Sequence, residues 1–137
     1  MKFKEALTYD DVLLVPKFSD IESRSEVDIG NDLDENIHLE IPIISSPMDT
    51  VTESEMAYEL SKHKGLGVVH RYNSIEEQSG IIRELHSSLI TEGIPPNIAF
   101  ATGITGDYFE RACAGWENGA NIICLDVAHG HHSMMKR

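Results

Sequence analysis

Positive charge is scarce in this sequence: 11 Lys and Arg stand against 23 Asp and Glu, which gives a formal net charge of -12. The resulting field repels polyanions, so the composition disfavours nonspecific binding to nucleic acid or to an anionic membrane surface. Long apolar runs are missing as well, and the amino-terminus turns acidic too early for a secretory signal. We therefore expect one soluble, cytoplasmic domain whose partners include neither a membrane nor a nucleic acid.

Cysteine is also scarce, since Cys113 and Cys124 are the only two. They fall in a predicted helix and a predicted strand, which is typical of core thiols in a reducing compartment. His129, His131 and His132 lie close together in sequence. A zinc site needs three or four converging ligands, whereas His129 lies in a turn broken by glycine, with no cysteine or acidic partner at matching spacing. We predict no metal site.

One unit recurs along the chain: an apolar strand, a polar turn and a helix. The predicted strands span residues 41–44, 66–70, 97–101 and 121–126. Strict alternation of strands and helices predicts a parallel sheet. The spacing of the strand starts matches that of a barrel with eight units in about 250 residues, of which this chain holds the first four.

The predicted fold class is therefore α/β, the amino-terminal half of a TIM (β/α)8 barrel. Residues 1–137 form one incomplete barrel domain, in which 1–40 are a capping segment with a short strand at 7–16, and 41–137 are four strand-helix units. A barrel closes by pairing its last strand with its first, so this half has two unpaired edges, and we expect a fragment or an assembling half barrel. A complete open α/β sandwich of this size is the alternative.

Three helix starts carry pairs of residues that are typical of capping boxes. The pairs are Thr52 with Glu55, Ser74 with Glu77, and Asp107 with Glu110. The third helix is expected to have an apolar face formed by Phe109, Cys113 and Trp116. A fourth helix is expected to begin near residues 128–130.

Five ordered motifs resemble the amino-terminal half of one enzyme family, the IMP dehydrogenase/GMP reductase family. They read LTYDDVLLVP, ESRSEVD, IPIISSPMDTVTESEMA, GLGVVHRYNSIEEQ and LDVAHGHH. The resemblance covers nearly the whole chain. It implies a TIM barrel that binds a purine nucleoside monophosphate, IMP or GMP, together with NAD or NADP at the carboxyl ends of the strands.

The family's nucleophile is a cysteine on a loop of the second half of the barrel, which attacks C2 of the purine while hydride passes between C2 and the nicotinamide. The resemblance places this loop outside the chain, together with most of the phosphate site and the monovalent cation (K+) site. Cys113 and Cys124 lie in the wrong elements to replace it. We therefore assign no catalytic residue here and expect the chain alone to be inactive, with a homotetramer as the full-length form.

The resemblance assigns substrate binding to Ser46, Pro47 and Met48, which match the turn that packs against the nucleotide. From the residues alone, a tight proline turn with a core methionine is the alternative. Asp49 beside them is as well suited to orienting its neighbours by hydrogen bonds. His70, at a strand end, is more typical of a structural residue than of an acid or base.

Cofactor binding is assigned by the resemblance to Asp126, Val127 and Ala128 at a strand end, where the carboxylate would accept hydrogen bonds from a ribose or a carboxamide. A helix N-cap is the alternative for Asp126. Arg71 stands where reductases of the family have a lysine that contacts the cofactor, and it retains a phosphate-contacting role but not that of an acid.

Two residues near the amino-terminus complete the assigned cofactor contacts. Ser23 and Arg24 match a pair that, in reductases, reaches the cofactor of a neighbouring subunit. A solvated loop is the alternative for both.

Details of the motifs favour the dehydrogenase branch. SSPMDTVTE, HRYNSIEEQ and AHGH look like the dehydrogenase, and Ile104 occupies the place of a threonine that reductases use in removing ammonia, although Thr105 is adjacent. The lack of a CBS insertion between the second helix and the third strand fits reductases and some dehydrogenases. We expect oxidation of IMP to XMP by NAD through a cysteine adduct in the complete barrel. The alternatives are NADPH-dependent deamination of GMP to IMP, and an inert half barrel that binds nucleotide or a full-length subunit.

Overall fold

The computed structural model describes residues 3–136, which form six short strands and three α-helices. In chain order the elements are β1 (Asn31–Asp32), β2 (His38–Leu39), β3 (Ile44–Ser45), α1 (Ser54–Lys62), β4 (Leu66–Val69), α2 (Ile75–Thr91), β5 (Ala99–Thr102), α3 (Tyr108–Glu117) and β6 (Ile122–Leu125). Three-residue or four-residue 3-10 turns lie at Tyr9–Asp11, Arg24–Glu26 and Ser133–Lys136.

Four of the strands form a parallel sheet in chain order, β3-β4-β5-β6, with a helix in each of the three connections. β1 and β2 form a separate antiparallel pair. The predicted fold class is thus confirmed, since consecutive parallel strands with helices between them are the arrangement of a TIM-barrel half. Each strand of the sheet is shorter than predicted but overlaps its predicted range.

The two faces of the parallel sheet bury different side chains. Neighbouring residues of a strand point to opposite faces, and residues paired between parallel strands point the same way. Val69 therefore points with its partner Phe100 towards the helices, and Val68 points with its partner Ala99 to the other face. The helical face buries Ala57, Val69, Ile82, Leu85, Leu89, Ile98, Phe100 and Ala120. The opposite face buries Leu39, Leu66, Val68, Ala99 and Ala101.

Two glycines let helices lie directly on the sheet. A Cβ added to Gly67 of β4 would overlap the backbone of Ala57 in α1, and a Cβ added to Gly115 of α3 would overlap the ring of Phe100. Any larger residue at either position must push a helix away from the sheet.

The prediction of a strand at 7–16 is wrong. The segment contains the Tyr9–Asp11 turn and no strand, and its large apolar side chains, among them Tyr9 and Leu14, lie in solvent at 97% and 98% exposure. A strand needs a partner to satisfy its backbone, and none of residues 3–136 pairs with this segment. Leu39, by contrast, is buried against Leu66 and Val68, so the end of the 1–40 segment does contact the sheet.

One of the three predicted capping boxes is confirmed. The Ser74 hydroxyl accepts a hydrogen bond from the Glu77 amide, and the Glu77 carboxylate accepts from the Ser74 amide and hydroxyl. These hydrogen bonds, the one from the backbone most of all, lower the pKa of Glu77. The Thr52 box is wrong, because the N-cap of α1 is Glu53 and the Thr52 hydroxyl bonds elsewhere.

The third predicted capping box, of Asp107 with Glu110, is also wrong. Asp107 is the N-cap of α3 but makes no side-chain cap, since its carboxylate accepts from Arg111 instead. The prediction of a fourth helix is also wrong: after β6 the described chain forms only the 3-10 turn Ser133–Lys136.

No α-helix within residues 3–136 has the length and apolarity that a membrane span requires.

The apolar face predicted for α3 points outward. Phe109 and Trp116 are 65% and 68% exposed, and Cys113 is exposed, so the interpretation of Cys113 as a core thiol is wrong. The buried side of α3 carries Arg111 and Gly115 instead. A small residue and a hydrogen-bonded arginine allow a closer approach to the sheet than two large aromatic rings would.

We expect Gly67→Ala to destabilise the chain by about 1 to 3 kcal/mol, because the new methyl group would meet the backbone of α1. Gly80→Ala is the matched control within α2. No atom lies within 4 Å of the position of its added Cβ, so the better helix propensity of alanine should stabilise the chain by about 1 kcal/mol. The midpoint of urea unfolding measures both changes, and a rise in the midpoint for Gly67→Ala would contradict the close packing of α1 on β4.

Candidate functional site

The carboxyl ends of β4, β5 and β6 surround a cavity of about 460 Å³, which we call the strand-end cavity. Parallel strands end at the same edge of a sheet, so the residues that follow them are brought together. The residues that line it are Arg71, Tyr72, Gly103, Ile104, Thr105, Asp126, Val127 and Ala128. Four of the predicted cofactor-binding residues, Arg71 and 126–128, thus lie in one cavity.

An ion pair crosses the strand-end cavity. Arg71 Nε donates to Asp126 Oδ2 at 3.1 Å, and Arg71 Nη2 donates to the Asp126 carbonyl oxygen at 3.4 Å. The guanidinium passes Gly103, where an added Cβ would lie 3.7 Å from Arg71 Nη1. Arg71 Nη1 and Asp126 Oδ1 make no hydrogen bond within the described residues. One donor of Arg71 and one acceptor of Asp126, two residues that line the cavity, are therefore free among the described residues, and within residues 127–136 no α-helix follows that Asp126 could cap.

His70 fixes the backbone beside this ion pair. The buried His70 ring accepts a hydrogen bond from the Tyr72 amide at Nδ1, 3.1 Å away, so its proton is on Nε2, which lies 3.2 Å from Glu53 Oε1. Both ring nitrogens are thereby used within the protein. This supports the structural role predicted for His70, in which it holds the loop that carries Arg71 and Tyr72.

A buried polar network lies directly beneath the loops, and sequence reasoning missed it. The side-chain amide of Gln78 donates to the His70 carbonyl oxygen at 2.7 Å and to the Ala101 carbonyl oxygen at 3.0 Å. Gln78 Oε1 accepts from Arg111 Nη1 at 3.1 Å, and Arg111 Nη2 donates to the Asn73 carbonyl oxygen at 2.9 Å. The only sequence signal was a glutamine and an arginine on the core-facing sides of their helices, where polar residues are rare.

The predicted substrate-binding residues form a separate turn after β3. The Thr52 hydroxyl lies 2.7 Å from the Ser46 carbonyl oxygen, to which it donates, and the Met48 carbonyl oxygen accepts from the Thr52 amide at 2.9 Å. Pro47 lies between them. The Met48 side chain is 48% exposed, so it is not the core methionine of the alternative interpretation. This turn is rigidly held but does not line the strand-end cavity.

Ser23 and Arg24 make only local hydrogen bonds among the described residues. Ser23 Oγ accepts from the Ser25 amide at 3.3 Å at the start of an exposed 3-10 turn. Neither residue lines the strand-end cavity or bonds to a strand end in the described part of the chain.

Neither cysteine lies at the cavity. Cys124 of β6 packs against the cluster of Leu66 and Ala99, and burial, followed by the charge of Asp126, raises the pKa of its thiol. A raised pKa makes a thiol a poor nucleophile. Cys113 is exposed on α3. Across residues 3–136, histidine, cysteine and acidic side chains form no group of three that could hold a metal ion.

We expect Arg111→Met to destabilise the chain by about 2 kcal/mol or more, because Gln78 Oε1 and the Asn73 carbonyl oxygen would each lose the donor that Arg111 supplies. Arg83→Met is the matched control: Arg83 also bridges α2 and α3, but its bond to Asn118 Oδ1 is exposed, so its loss should change the urea midpoint little. Equal shifts of the two midpoints would contradict the importance of the buried network.

Comparison with known proteins identifies relatives along almost the entire chain. A family model described as the IMP dehydrogenase / GMP reductase domain matches residues 6–137. An inosine-5'-monophosphate dehydrogenase of Nitrosopumilus maritimus is 50% identical over 88 residues, which cover 64% of this chain and 18% of the relative. One of Staphylococcus epidermidis is 42% identical over 123 residues, which cover 90% of this chain and 25% of the relative. A GMP reductase of Leishmania donovani is 48% identical over 81 residues, which cover 59% of this chain and 16% of the relative.

The chain spans only 16% to 25% of the length of these three relatives. The matched part is nevertheless nearly the whole of this chain, and its four parallel strands with their connecting helices are those expected of a TIM-barrel half. The chain belongs to the IMP dehydrogenase/GMP reductase family.

Proposed function

We propose that these residues supply substrate and cofactor contacts of an NAD-dependent purine nucleotide oxidoreductase that converts IMP to XMP through a cysteine adduct. The observation that carries the proposal is the strand-end cavity, where Arg71 of the β4 loop and Asp126 of the β6 loop meet across the end of β5. The cysteine belongs to sequence outside these residues. The bound nicotinamide would supply the hydride acceptor.

The free atoms of the cavity fit a dinucleotide. Asp126 Oδ1 is an unused carboxylate oxygen, which suits the hydroxyl groups of a ribose or the amide of a carboxamide. Arg71 Nη1 is an unused donor that suits a phosphate oxygen. Val127 and Ala128 extend the cavity wall beyond the carboxylate. Because Arg71 and Asp126 also hold each other, both groups are positioned before a ligand arrives.

The turn after β3 is proposed as the surface for the purine nucleotide. Thr52 holds the Ser46 carbonyl oxygen, so the half-exposed Met48 thioether is presented from a fixed backbone. A thioether adapts its shape to a flat ring. Ser23 and Arg24 are proposed to reach the cofactor of a neighbouring subunit, and their position on an exposed segment away from this chain's own cavity supports that assignment.

GMP reductase activity is the second candidate, and one observation favours it: two relatives named GMP reductase are 48% identical to this chain over 81 residues. Ile104 and the exposed Thr105 both line the strand-end cavity, so a hydroxyl is available beside the position where reductases of the family have a threonine. The reaction would then be NADPH-dependent deamination of GMP.

We expect Asp126→Asn to weaken NAD binding by about tenfold or more, because a neutral amide is a weaker hydrogen-bond acceptor than a carboxylate. Asp10→Asn removes the same charge at an exposed residue of the amino-terminal segment that does not line the cavity, and is the matched control. Isothermal titration calorimetry of the three proteins with NAD measures the dissociation constants. Equal affinities of the two variants would contradict the role proposed for Asp126.

The two candidate reactions differ in substrate and cofactor. In the protein that carries these residues, the dehydrogenase proposal expects nicotinamide reduction with IMP and NAD. Nicotinamide oxidation with GMP and NADPH, without the first reaction, would overturn it in favour of the reductase.

A further inference from the structure

Tyr72 is an aromatic residue that lines the strand-end cavity and does not pack in the core. It is 63% exposed, and its hydroxyl makes no hydrogen bond within the described residues. The other residues of the cavity wall, Arg71, Asp126, 103–105 and 127–128, include no other aromatic ring. A large ring at this place contributes little to folding, since most of its surface stays in water.

We propose that the Tyr72 ring is the stacking surface for the heteroaromatic base of a nucleotide bound in the strand-end cavity. The inference rests on the nucleotide binding proposed above and adds a residue that determines which ligands bind. Aromatic rings of nucleotides stack on tyrosine because both faces are flat and apolar, and the contact removes both from water.

The backbone that carries the Tyr72 ring is held in place before a ligand binds. The Tyr72 amide donates to His70 Nδ1, so the backbone that carries the ring is tied to a buried side chain. The guanidinium of Arg71 lies 5.7 Å from the centre of the Tyr72 ring, and the His70 ring lies 6.3 Å away at an interplanar angle of 24°. Arg71 is in turn held by Asp126. The backbone that carries the ring is therefore fixed before a ligand binds, which lowers the entropy lost on binding.

The three neighbouring groups match the three parts of a nucleotide. The Tyr72 ring offers a face for a base, Asp126 Oδ1 an acceptor for ribose hydroxyls, and Arg71 Nη1 a donor for a phosphate. The ligand class is therefore a nucleoside monophosphate unit, whether free or part of a dinucleotide. Its base is either the nicotinamide or the adenine of the cofactor, and separate probes distinguish the two.

The test compares ligands with and without a base on Tyr72→Ala and the unaltered chain. The probes are nicotinamide mononucleotide, AMP and ribose 5-phosphate, and NMR titration measures each dissociation constant. Tyr72→Ala should weaken binding of at least one base-bearing probe by about tenfold. Ribose 5-phosphate should bind equally to both proteins, because it has no ring to stack. The probe that loses affinity identifies the base.

Two variants separate stacking from other effects. Tyr72→Phe keeps the ring and should retain the affinity of the unaltered chain. Tyr108→Ala removes another partly exposed tyrosine, which does not line the cavity, and should change nothing. If Tyr72→Ala binds all three probes as the unaltered chain does, or weakens all three equally, the stacking proposal is wrong while nucleotide binding stands. If the unaltered chain binds none of the probes, both proposals are wrong.

Discussion

The side-chain amide of Gln78 connects the two central strands at the end where ligands would bind. Its nitrogen donates to the carbonyl oxygens of His70, which precedes Arg71 of the cavity, and of Ala101, which lies two residues before Gly103 of the cavity. The amide is buried, and Arg111 satisfies its oxygen, so none of its polar atoms is left without a partner. Gln78 thus ties β4 to β5 at the end where Arg71 passes Gly103 and reaches Asp126, the residue after β6.

The parallel sheet could be predicted from the sequence, but much of the local detail could not. Apolar runs predict the strands, because a strand that is buried in a sheet needs apolar side chains. Ser74 and Glu77 form a cap because the two residues lie within one helical turn. Thr52 and Asp107 have the same local pattern, yet their side chains bond to the Ser46 carbonyl oxygen and to Arg111. The capping pattern alone does not determine at which residue a helix begins or which partner the side chain bonds, because Thr52 precedes the N-cap Glu53 and Asp107 pairs with Arg111 one turn along α3.

The candidate site could also be predicted only in part. Position after a strand indicated that Arg71 and Asp126 would lie at one edge of a sheet. Their pairing across 55 residues, with β5 between them, is a property of the register of three strands and could not be predicted from either motif alone. The position of the Tyr72 ring could not be predicted either, because it depends on how the folded loop places His70 and Arg71 beside it.

The outward face of α3 has a consequence for spectroscopy. Trp116 is the single tryptophan of the chain, and it is 68% exposed on α3, as is Phe109 at 65% two turns earlier. An indole in water emits at longer wavelength than one in an apolar environment. The tryptophan fluorescence of these residues therefore reports on the outward face of α3, and a polypeptide that covers Trp116 would shift its emission to the blue.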